Sequence, residues 1–207
     1  DNKKNQIAAS DPIEKTATLL KQGYIIAIKG LGGYHLAVDA ENDTAVAALR
    51  KRKHREEKPL AIMSYDIDRI RQYAHVGAKE QKLLTSYQRP IVILEKKIPN
   101  SIAHTVAPRN RYFGVMLPYT PLHYLLFEQL NESRTDVLVM TSGNISDEPL
   151  ICKNEIALER LGDIADAFLM YNREIFRQVD DSIVHLINEQ PVLLRRSRGY
   201  VPGPIFA

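Results

Sequence analysis

The sequence predicts an α/β (α+β) fold, an open mixed sheet flanked by helices. Short β-branched runs alternate with amphipathic helical stretches along the whole chain, the pattern of layers that each bury one apolar face. No internal repeat, low-complexity tract or linker interrupts them, so residues 1–207 read as a single domain with its core at about 10–204. With 44% of its residues hydrophobic, a chain of this length can bury roughly 70% of its unfolded surface without disulfide or metal staples.

Each element has a local reason. Ser10, followed by Asp11 and Pro12, reads as a helix N-cap; Ile13, Thr16, Ala17 and Leu20 then share one face before Gly23 closes the helix. Residues 24–29 form a β-branched strand, Gly30, Gly32 and Gly33 punctuate it, and 34–39 extends again. Asn42 or Asp43 caps a helix over 44–53, whose basic end suits the helix dipole, and Pro59 stops it. Strands are expected at 60–64, 90–95 and 137–141, with extended segments at 167–171, 182–187 and 191–196. Helices are expected over Asp66 to Ala74, Ala78 to Ser86, 122–130 after Pro121, and Glu155 to Leu161, with a turn at 142–149.

Composition excludes several function classes. Cys152 is the only cysteine, which argues against disulfides and against a zinc site of paired thiolates, so no zinc and a reducing, cytoplasmic setting are expected. No apolar run approaches the ~20 residues of a membrane span, and the first ten residues are too polar for a signal peptide. The net charge of +3 does not demand a polyanion. Its cations are nevertheless pooled: residues 50–58 hold six Lys or Arg against two Glu, and Arg195, Arg196 and Arg198 lie close together. Each pool reads either as a solvated element end or as a phosphate site.

The glycine run does not complete a dinucleotide fingerprint, because His35 stands where the last glycine belongs, and there is no Walker loop. Gly30, Gly32 and Gly33 mark a tight turn or a backbone that a ligand approaches. Asp66 and Asp68 suit helix capping better than metal binding, and the six histidines lack ligand spacing. With no GxSxG and with Cys152 reading as a packed small hydrophobe, covalent catalysis is unsupported. Three constellations remain: Lys53, Arg55 and Lys58 at a helix end; Thr141 to Asn144 beyond a buried strand, where small polar groups suit phosphate or ribose; and the terminal arginines, where a continuing strand would put Arg196 and Arg198 on one side.

Taken in order, AIKGLGGYHLAVDAEN, LRKRKHREEKPLAIM, FGVMLPYTPLHYLL, VMTSGNISDEPL, VDDSIVHL and PVLLRRSRGYVPGPI resemble the YrdC-type domain, in the version carried by hydrogenase maturation carbamoyltransferases. The resemblance runs from about Ile13 to Pro204. It implies a twisted open mixed sheet with a basic concave face. The superfamily, which includes threonylcarbamoyl-adenylate synthases of tRNA modification, carries a KxR pair and an SxN motif around ATP. Lys53-His54-Arg55 and Ser142-Gly143-Asn144 match them, although the spacing from KxR to the KP dipeptide is one residue shorter. By resemblance Lys53 and Arg55 are catalytic, binding ATP phosphates, and Lys29, Tyr34, Lys58, Thr141, Ser142, Asn144, Arg196 and Arg198 hold the nucleotide and acyl substrate. Magnesium is implied with ATP, its ligands unassigned; Asp180 and Asp181 suit a turn better than a cation.

One departure concerns the substrate. Where the tRNA-modifying enzymes read P-T-[DE]-T-x-Y-G-L, this chain reads KGLGGYHL, so both threonines become Gly30 and Gly32. Losing hydroxyls that could orient a threonine-derived substrate argues for a smaller acid such as carbamate, with Lys29 as an extra cation. The resemblance therefore implies activation of carbamate, from carbamoyl phosphate, to carbamoyl-adenylate. Its partners would be the other domains of a longer enzyme, from which this chain is a module, and the maturation protein that receives the carbamoyl group on the way to a cyanide ligand of NiFe-hydrogenase. The alternatives are threonylcarbamoyl-adenylate synthesis and a double-stranded RNA-binding module.

Overall fold

The computed structural model describes residues 1–131, 137–145 and 148–204. Nine strands form one mixed sheet: β1 (Ile26–Lys29), β2 (Tyr34–Asp39), β3 (Ala61–Ser64), β4 (Ile91–Glu95), β5 (Tyr112–Met116), β6 (Val137–Ser142), β7 (Ala167–Leu169), β8 (Ile183–Ile187) and β9 (Gln190–Arg195). Their order is β7-β1-β2-β6-β3-β5-β4-β8-β9. The pairs β1 with β7, β3 with β5 and β4 with β8 are parallel, and the other five are antiparallel.

The period of two along the strands splits the core into two layers. Ala27, Leu36, Val38, Ile62 and Val139 face one side, where α2 (Asp43–Arg52), α3 (Ile67–Tyr73), α4 (Ala78–Thr85) and α6 (Asn154–Arg160) pack. Ile26, Ile28, Ala37, Met63, Leu138 and Met140 face the other, under α1 (Pro12–Lys21) and α5 (Pro121–Asn131). The central strands are buried on both faces and read as continuous apolar runs.

The element boundaries follow local chemistry. Asp11, not Ser10, caps α1: proline is pre-organised for the first helical position, so the residue before Pro12 takes the cap, and the Asp11 carboxylate accepts from Ile13 N at 2.7 Å. Gly23 follows at φ +85°, the left-handed exit that glycine adopts without strain. Asn42 caps α2 through its side chain and Asp66 caps α3. Asp68 does not cap: it lies in the first turn of α3 and its carboxylate pairs with Arg71 at 3.0 Å. The first strand begins at Ile26 rather than residue 24, because the Tyr24 N–H closes the helix exit onto Leu19 O. β9 ends at Arg195, so the alternation expected for Arg196 and Arg198 does not continue. A 3-10 turn at His104–Val106 has no counterpart in the sequence reading. The turn expected at 142–149 includes Ser146 and Asp147, which lie outside the described residues.

Candidate nucleotide site at the KxR and SxN motifs

The KxR motif is a helix terminus. Lys53 is the C-cap of α2, and His54 follows at φ 50°. The His54 N–H donates to Lys51 O (3.2 Å) and the Arg55 N–H to Arg50 O (3.0 Å), the two reverse bonds of a Schellman cap. Lys53 thus turns inward while Arg55 leaves along the next segment.

Inside, Lys53 is 1% exposed. Its Nζ donates to the backbone carbonyl of Ser142, to Asn144 O at 2.8 Å and to Asn144 Oδ1 at 3.1 Å. Burial, and then the charges of Arg55 and Lys58, pull its amine down to about 7, against an opposing pull from Asp180. Ser142 Oγ also donates to Asn144 Oδ1 (2.8 Å), and Asn144 Nδ2 donates to Glu148 O (2.6 Å). Gly143 is fixed by close approach: a Cβ there would lie 2.6 Å from Tyr34 O.

Arg55 donates to Pro59 O (2.7 Å), Lys58 O (3.2 Å) and Thr141 Oγ1 (3.4 Å). The 54–59 loop that carries it is shaped by a residue that composition alone hides. Arg50 is 7% exposed, and its guanidinium donates to the carbonyls of Thr105, Arg55, Glu56, Lys58 and Val106. Arg52 pairs with Asp166 at 2.7 Å. Arg50 and Lys53 of the basic run are therefore spent inside the protein, while Lys51, Arg52 and Lys58 are exposed.

Beside this unit lies a cavity of about 480 Å³, with Ser142, Asn144, Arg177, Asp180 and Arg196 as polar lining and Leu150 and Val179 as apolar lining. Its size is within the range of small-molecule sites. Asp180 is ion-paired to Arg195, while Arg196 donates to the carbonyls of Tyr200 (3.0 Å) and Gly203. Sequence reasoning did not single out Arg177. Residues 172–179 carry neither apolar periodicity nor a motif, so nothing in the sequence marks Arg177.

Three expected site residues turn elsewhere. Lys29 is buried and donates to Tyr171 O (3.0 Å) and Arg173 O (2.8 Å). Tyr34 OH donates to Asn154 Oδ1 at 2.8 Å. Arg198 donates to Asp181 Oδ1 (2.7 Å), Gln88 O (3.0 Å) and Arg89 O (2.7 Å), and stacks 3.5 Å over the Tyr119 ring. The polar heads of these three are bonded to protein groups away from the KxR and SxN unit, whereas Lys53, Arg55, Thr141, Ser142 and Asn144 are linked to one another by hydrogen bonds, with Ser142, Asn144 and Arg196 lining the cavity and Lys58 exposed on the loop. Among the described residues no His, Cys, Asp or Glu cluster could hold a metal. Arginines occupy both Asp180 and Asp181, so the residues present do not fit a magnesium ion held by the protein itself.

The model of the Sua5/YciO/YrdC family, described as "Telomere recombination", matches residues 18–197. The chain belongs to the Sua5/YciO/YrdC family. Within this family it is 47% identical over 210 residues to the carbamoyltransferase HypF2 of Cupriavidus necator, covering 94% of the chain and 26% of that relative. A crystal structure of full-length HypF in a phosphate- and nucleotide-bound form superposes with a TM-score of 0.92 at 47% identity, over 97% of this chain and 26% of that one. P. abyssi Sua5 complexed with L-threonine shares the fold at a TM-score of 0.77 and 20% identity, over 89% of this chain and 54% of that one. The chain spans about a quarter of the HypF proteins it matches. No described helix of this Sua5/YciO/YrdC domain is long and apolar enough to cross a membrane.

Proposed function

We propose that this domain activates carbamate with ATP. A carbamate oxygen attacks the α-phosphorus, the bond from that phosphorus to the bridging oxygen breaks, and carbamoyl-adenylate and pyrophosphate are the products. The observation that carries this reading is the convergence of Lys53 and Arg55 on Thr141, Ser142 and Asn144, beside a cavity edged by Arg177 and Arg196. Such a transfer needs no side-chain nucleophile. Positioning of the two reactants and neutralisation of charge on the phosphates supply the catalysis. Ser142 and Asn144 would orient the nucleotide, Arg177 and Arg196 would meet the pyrophosphate, and Lys53 and Arg55 would set the positive field behind them. Magnesium would come with the nucleotide, on its phosphate oxygens.

The nucleotide-bound HypF relative supports this assignment over an RNA-binding module. So does the burial of Arg50 and Lys53 and the pairing of Arg52 with Asp166, which break the basic run as an open stripe for a nucleic-acid backbone. In a longer carbamoyltransferase, other domains would supply carbamate from carbamoyl phosphate and pass the activated carbamoyl group to a hydrogenase maturation partner. ATP–pyrophosphate exchange tests the reading. Stimulation by carbamate, and none by threonine with bicarbonate, is the expected result; the reverse pattern would overturn it.

A further inference from the structure

The glycine loop at 30–33 is packed from outside by two aliphatic side chains. A Cβ on Gly32 would overlap the carbonyl oxygen of Val179 and lie 2.5 Å from its Cγ1, and one on Gly33 would overlap the Leu150 side chain. The packing is fastened by hydrogen bonds. Val179 N donates to Gly32 O at 3.1 Å, Gln178 Nε2 donates to Leu150 O, and Tyr34 N donates to Ile151 O at 2.7 Å. Leu150 and Val179 also line the cavity that holds Ser142 and Asn144. The cavity wall next to the loop is thus branched hydrocarbon, without a donor or an acceptor on either side chain. A carbamate bearing an amino-acid side chain would have to displace these groups and would leave a hydroxyl unpaired against them. Unsubstituted carbamate makes neither demand.

We propose that Val179 and Leu150 are specificity-determining residues that confine the acyl end of the site to carbamates without an amino-acid side chain. The proposal rests on the carbamate-activation reading and names what enforces its substrate class. Its test is a binding measurement, independent of turnover. The probes are 5′-O-(N-carbamoylsulfamoyl)adenosine, which mimics carbamoyl-adenylate, and a derivative with a threonine-sized substituent on the terminal carbamoyl nitrogen. The unmodified chain is expected to prefer the unsubstituted compound by about 100-fold, and Val179→Ala with Leu150→Ala to narrow that ratio by about tenfold. A ratio unchanged in the double variant, with the unsubstituted compound still bound, overturns the proposal. If the unmodified chain binds the substituted compound as well as the unsubstituted one, the proposal also fails. Failure of the unmodified chain to bind either compound overturns the carbamate-activation reading itself, and the proposal with it.

Discussion

Lys53 Nζ lies 2.8 Å from the backbone oxygen of Asn144 and 3.1 Å from its Oδ1, so the lysine of KxR and the asparagine of SxN form one buried unit. Lys53→Met would remove a donor from both of those acceptors and from the Ser142 carbonyl, although Asn144 Oδ1 would keep the Ser142 hydroxyl and the Ser142 carbonyl the Asn144 N–H. Unfolding in urea should register a loss of about 1–3 kcal/mol, and calorimetry should register at least a tenfold weaker affinity for ATP. Unchanged ATP affinity in a folded variant would remove Lys53 from the proposed site.

The same amine should make the proposed nucleotide binding pH-dependent. Because burial and neighbouring cations pull Lys53 down to about 7, it is largely neutral above that pH in the free protein. Phosphates favour its charged form, so ATP should be bound with uptake of a proton above pH 7 and with little uptake below about pH 6. Calorimetry in buffers of different ionisation enthalpy measures this directly. The difference should disappear in Lys53→Met.

Asp181 is a buried charge of a different kind, a carboxylate held among cations. It accepts from His35 Nε2 at 3.1 Å and Arg198 Nε at 2.7 Å. Burial works to raise its carboxyl, but the hydrogen bond from His35 and the charges of His35 and Arg198 outweigh it and hold the group below the usual carboxylate range. The folded state therefore keeps the carboxylate ionised where the unfolded state would protonate it. Its stabilisation is present above about pH 4 and is lost as pH falls through the folded value. Asp181→Asn should cost about 3–5 kcal/mol at pH 7 by leaving Arg198 unpaired and should flatten the acid limb of stability. Adding Arg198→Gln should recover part of the loss.

The fold was legible wherever a period or a cap carried it. β2 matches residues 34–39, Asn42 caps α2, and Gly23 sits at the helix exit. Strand order was not, since it depends on pairings between distant segments such as His35 with Ser142. The site was half legible. KxR and SxN were visible as motifs, but a run of cations looks the same whether its side chains are solvated or buried. Arg50 shows the difference, its guanidinium spent on five carbonyls around the loop that presents Arg55.

Arg50→Lys should therefore be far from conservative. An ammonium offers three donors from one point and cannot reproduce a planar fork reaching five acceptors. Denaturation should show a loss of about 1–3 kcal/mol, and amide hydrogen exchange should accelerate across residues 54–59 before the sheet is affected. Uniform exchange behaviour in the variant would mean that Arg50 does not organise the loop.

Restoring threonine in the glycine loop should fail to restore a threonine site. At Gly32 the obstructing group is the backbone carbonyl of Val179, so trimming the Val179 side chain cannot make room. Gly32→Thr would have to push the 178–180 segment outward, breaking the Val179 N–H bond to Gly32 O and moving Asp180 and its Arg195 partner at the cavity edge. Overpacking of this kind costs about 1–3 kcal/mol. Gly32→Thr should lower stability and weaken ATP binding together, with no gain of threonine-dependent pyrophosphate release. Val179→Ala with Leu150→Ala widens the cavity without adding an atom to the loop and should behave oppositely, keeping ATP and admitting the larger acid. Assaying both variants side by side separates space at the cavity wall from hydroxyls on the loop as the determinant of substrate size.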